Sequence, residues 1–146
     1  MRVEKRIEPL VRNAIHAAVV RDFALLEDRL QKFPDDKAVR AAVELTLALV
    51  YFLMVDIHAG RPSETEVAGV ATEIARTEVW ARSSRDEVTE FLVRLMNREQ
   101  LAPAVPGENV IILAFVVAAN LLSSCRRDDE EWWDYLDRVE AAIEAA

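Results

Sequence analysis

The chain has 146 residues, 52% of them hydrophobic and 30% charged, with three glycines, five prolines and a formal charge of −8. That composition excludes a collagen-like or disordered chain, and the length suffices for one domain, residues 1–146, that needs no disulfide or metal staple. The negative charge is concentrated: residues 128–146 hold eight acids against Arg138 and carry about −7 of the total, which argues against nucleic acid as a partner because phosphate contacts need clustered Lys or Arg.

The opening Met1-Arg2-Val3-Glu4-Lys5-Arg6 is followed by no apolar run of the kind a signal peptide carries. Val3, Ile7, Leu10, Ala14 and Ala18, continued by Phe23, Leu26, Leu30 and Phe33, predict a first helical region over 3–33. Pro9 moves its start toward Glu8, and Asp22 is placed to cap a second segment, so one kinked helix or two are both open. Pro34-Asp35-Asp36 ends this region, with Asp36 the candidate N-cap of the next helix.

The second helix, 37–59, is apolar nearly all round from 45 to 55, a pattern that belongs in the middle of a domain. Arg40 and Glu44 are spaced to pair across one turn, and Gly60 is placed for the left-handed position that ends the helix. Ser63-Glu64-Thr65-Glu66 is a capping box for a third helix to about Trp80, with Val67, Val70, Ile74 and Thr77 inward. Ser84-Arg85-Asp86-Glu87 is a second such box, and Val88, Phe91, Leu92, Leu95 and Met96 make the stripe of the fourth helix. Residues 101–107, with Pro103 and Pro106-Gly107, read as a loop.

The fifth helix, 108–126, is again apolar on every face. The runs 45–55 and 110–122 are each too short to span a bilayer and are bounded by charge, so both read as buried helices and no membrane partner is expected. The acids from Asp128 to Glu131 suit the start of a sixth helix, whose stripe is Trp132, Leu136, Val139 and Ile143. The fold expected is an all-α, six-helix globular bundle around the helices 37–59 and 108–126. Residues 22–81 also overlay 87–146 at an offset of 65, each half reading amphipathic, buried, amphipathic helix.

Few residues point to chemistry. His16 lies opposite the apolar stripe and reads as a solvated surface residue, and His58 suits the negative end of its helix. Asp56, two residues before His58, faces elsewhere, and no His-x-x-His or Glu-x-x-His spacing occurs, so no metal or cofactor is expected. Cys125, the lone cysteine, forms no internal disulfide and reads as a partly buried structural thiol in a reducing, cytoplasmic setting. Arginine outnumbers lysine fifteen to three, which fits a GC-rich bacterial genome.

Glu87-x-x-Glu90 and Glu131-x-x-Asp134 resemble the carboxylate pairs of the all-α nucleotide pyrophosphohydrolases. The resemblance covers these four residues and implies Mg²⁺ held against a substrate's phosphates by two packed helices. Asn120 sits in an apolar run without a local partner and, with Tyr51 and Met54, marks a candidate pocket for a small ligand. Trp132 lies on the last stripe, which leaves Trp133 at its edge, flanked by Asp129, Asp134, Asp137 and Glu140. An edge tryptophan on an acidic helix suits contact with a protein partner or a second copy. The function expected is therefore a non-enzymatic interaction module (adaptor, immunity-type or regulatory). A small-molecule-binding regulatory bundle and a Mg²⁺-dependent pyrophosphohydrolase are the alternatives.

Overall fold

A computed structural model describes residues 1–99 and 107–146. Among these residues the chain forms seven α-helices and no strand: α1 Glu8–Val19, α2 Phe23–Gln31, α3 Asp36–Ile57, α4 Glu64–Thr77, α5 Arg85–Met96, α6 Gly107–Ser124 and α7 Trp132–Ala145, with a 3₁₀ turn Val79–Ala81 after α4. The loop expected over 101–107 lies outside the described residues except for Gly107, which begins α6.

The count is seven rather than six because the first helical region breaks after Val19. Arg21 takes the left-handed conformation (φ 58°), and the amides of Arg21 and Asp22 bond back to Ala18 and Ala17. Asp22 then caps α2, its Oδ1 accepting from the Leu25 amide at 3.0 Å. Both capping boxes form, at Ser63 and Ser84, and set the starts of α4 and α5. At α3 the cap is Asp35, one residue before the expected Asp36, and it accepts from the Ala38 amide at 2.8 Å. The end of α3 is also shifted by one: Ala59 holds the left-handed position (φ 54°) and Gly60 follows at φ 142°.

At the centre is α6, with Val110 and every residue from Leu113 to Leu122 buried. It packs against α1, α3 and α7, while α4 and α5 form a hairpin. The other expected central helix, α3, packs against α6, α7, α1 and α5 but is less fully enclosed than α6. Its buried side is Ala38, Ala42, Leu45, Thr46, Leu49, Val50, Leu53 and Met54, whereas Val39, Val43, Leu47 and Tyr51 are half-buried. By length and composition, α3 and α6 are each long and apolar enough to cross a membrane, because the helices outlast the apolar runs. The most apolar stretch of α6 is 61% buried in the bundle, that of α3 44%. The two-half overlay matches helix order, yet the halves pack differently: α7 lies across α3 and α6, whereas its counterpart α4 packs chiefly on α5.

Candidate functional site

Two surfaces stand out. The first is where α7 meets α1. Trp132 is buried and stacks on exposed His16, ring centres 6.2 Å apart. Trp133 meets Trp132 edge-on at 5.7 Å and remains 45% exposed. Asp129, four residues earlier in the chain, is exposed, and Asp134 caps its own helix by accepting from the Glu131 amide at 2.9 Å.

The other two acids expected on this face are tied inward. The Arg12 guanidinium donates to Glu8 at 2.8 Å, to Asp137 at 2.6 Å and to Glu140 at 3.2 Å. Asp137 keeps 61% of its side chain exposed, but Glu140 is only 8% exposed and cannot meet a partner. One cation cannot balance three carboxylates. Glu140, the most buried, has an Oε2 without a hydrogen-bond partner. Burial first, and then the Glu8 charge, push its carboxyl up to about 8.

Tyr135, absent from the expected stripe, is the largest fully buried side chain of this helix. Its hydroxyl donates to Asp56 at 2.6 Å and its ring lies 4.4 Å under the Arg138 guanidinium. Burial, reinforced by Asp56, raises the phenol above its ordinary value. The three-residue spacing from Trp132 was the available signal for its inward position.

The second surface is a groove of about 850 Å³ running along α3. Val39, Val43, Leu47 and Tyr51 of α3, Ile111 of α6 and Leu95 of α5 form its floor and walls, with Arg40, Glu44, Arg98 and Glu99 at the rim. It joins a cleft of about 330 Å³ lined by Leu30, Phe33, Ile112 and Phe115, the two sharing Val39, Val43 and Ile111. Arg98 lies 5.0 Å over the Tyr51 ring. The expected Arg40–Glu44 pair does not form, and both side chains are exposed.

The expected ligand residues are dispersed. Tyr51 lines the groove and Met54 is fully buried. Asn120 spends its amide donors on Thr77 Oγ1 and Glu78 Oε2, each at 3.1 Å. Glu78 also accepts from both arms of Arg21 and from Trp80 Nε1. Burial acts to raise the Glu78 carboxyl, but these donors outweigh it and hold it below its ordinary value. The constellation ties the α1–α2 turn to the end of α4 and to α6.

The four carboxylates of the expected metal alternative do not converge. Glu87 accepts from the Ser84 amide, Glu90 pairs with Arg94 at 2.6 Å, Glu131 is exposed and Asp134 is a cap. Among the described residues no three metal-type ligands gather. His58 donates from Nδ1 to the Met54 carbonyl at 2.7 Å, which places a proton on that nitrogen. Cys125 is exposed, contrary to the partly buried thiol expected, because α6 ends at Ser124, one residue before it. The chain matches no protein-family profile, no curated protein and no solved structure.

Proposed function

We propose that the chain is a non-enzymatic interaction module that binds a protein partner through the α7 face around Trp133. The observation that carries this reading is an indole 45% exposed beside a buried one. Exposed tryptophans are the side chains most often found to dominate binding energy, because they bury a large rigid area at small entropic loss. Asp129, Asp134 and Asp137 are exposed and lie within four residues of it in sequence, a local excess of negative charge that favours a basic partner and speeds encounter with one. Glu140 leaves this set, since it faces α1. An exposed lone thiol at Cys125 suits a reducing cytoplasm better than an oxidising compartment.

The competing readings lose their anchors. A nucleotide-cleaving site needs carboxylates that meet, and these four do not come together. The α2–α6 cleft falls within the size range of small-ligand pockets, but Glu27, Gln31 and Glu108, its charged and amide groups, are all exposed at its mouth. Such a cleft has nothing buried to orient a polar ligand.

The test is affinity capture with the wild-type chain from the native host, followed by titration of the captured protein. Trp133→Ala is expected to weaken binding by about thirtyfold, the loss of a hot spot worth about 2 kcal/mol. Asp129→Lys should slow association and reduce its salt dependence. Unchanged affinity in both variants removes this face as the site.

A further inference from the structure

The apolar groove is separate from the α7 face and shares no residue with it. On α3, Val39, Val43, Leu47 and Tyr51 recur every four residues, one continuous strip about 18 Å long at the rise of an α-helix. Ile111 and Leu95 widen it on either side. Among the described residues these side chains are only half-buried, and apolar area left in water is unfavourable in proportion to its size.

The rim indicates what covers it. Arg40 and Glu44 stand one turn apart on α3, both exposed, and among the described residues neither forms an ion pair or hydrogen bond. Two such charges beside an apolar strip are complementary to the same strip turned end for end. In a two-fold pair every contact occurs twice, so Arg40 of one copy meets Glu44 of the other, and the reverse. The rim is also electrically balanced, with Arg40 and Arg98 against Glu44 and Glu99. The surplus charge lies in residues 128–146, none of which lines the groove, so the net charge does not set two copies against each other here.

We infer that the α3 face binds a second copy of this chain in an antiparallel, two-fold arrangement whose axis passes near Val43. Val43 then meets its own counterpart, and Val39 meets Leu47 of the other copy. Arg40 and Glu44 fix the register, since sliding α3 by one turn places like charges together. The inference stands independently of the α7 reading, because each surface can be altered without touching the other.

Sedimentation equilibrium of the full chain over a range of concentrations tests it, with far-UV circular dichroism to establish that each variant folds. The wild type is expected to form a concentration-dependent dimer. Arg40→Glu, an exposed position, should weaken it tenfold or more, and so should Glu44→Arg. The double reversal Arg40→Glu with Glu44→Arg should restore it, an outcome that lost folding or lost hydrophobicity does not produce. Val43→Glu should leave a folded monomer. A wild type that stays monomeric up to about 1 mM, or a dimer indifferent to these substitutions, overturns the proposal. Monomers that instead float with phosphatidylcholine vesicles through the α3 strip also overturn it, and assign the strip to lipid.

Discussion

At the scale of single residues, Glu140 is the side chain whose position most changes its meaning. In sequence it is one more acid on an acidic helix; in the fold it is buried against Glu8 and Arg12 of α1, with Asp137 a turn away on its own helix. Its carboxyl is raised from 4.5 to about 8. The folded chain therefore binds a proton there that the unfolded chain releases near its ordinary value. Stability from this group is complete below about 4.5 and is lost as pH rises through about 8. Glu140→Gln, a neutral isostere, should abolish that loss. Urea unfolding of both proteins from acid to mildly alkaline pH should show the variant gaining on the wild type as pH rises. A constant difference would mean that Glu140 is ionised with Arg12 throughout. Counting 100° per residue placed Trp133 at the edge of its helix, but it does not say which neighbouring helix rises beside that edge. For that reason the burial of Glu140 and the partners of Tyr135 and Asn120 were not legible.

At the scale of elements, helix starts were more legible than helix ends. The two capping boxes needed only local chemistry, a hydroxyl and a carboxylate three residues apart, and both form. Ends depend on which residue accepts a positive φ, and here non-glycine residues do. Arg21, Ala59 and Arg98 each hold the left-handed position after α1, α3 and α5, and in each case the following amide bonds back five residues. A side chain there costs about 1–2 kcal/mol against the right-handed region. Ala59→Gly should therefore stabilise the fold, by about 0.5–1 kcal/mol once the greater freedom of glycine in the unfolded chain is deducted. Gly60→Ala should do the reverse, by about 1–3 kcal/mol, because φ near 140° is essentially closed to alanine. A Cβ at Gly60 meets no atom within 4 Å, so the effect is one of backbone alone. Thermal and urea unfolding of the two variants should move in opposite directions; equal shifts would place the strain elsewhere.

At the scale of the whole molecule, the all-α class and the central place of α6 followed from the apolar pattern, since a helix apolar on every face has nowhere else to go. The same pattern did not tell the half-covered α3 from the fully enclosed α6, because it fixes how much surface must be covered without saying what covers it. How far α7 belongs to that cover is open to direct test. Tyr135, Leu136, Val139 and Ile143 are all buried against the bundle. At about 1.5–3 kcal/mol for each such side chain, they contribute roughly 6–12 kcal/mol, comparable with the whole net stability of about 5–15 kcal/mol typical of a domain. Removing α7 also strips the cover from the inner side of α3 and from one side of α6, the two most apolar helices. A chain ending after Arg127 should therefore lose its cooperative thermal transition and bind hydrophobic dyes, although it keeps six of the seven helices. If it still melts sharply within a few degrees of the full chain, α7 is an appended arm. The bundle would then be complete without α7, and the unit of folding would be smaller than residues 1–146.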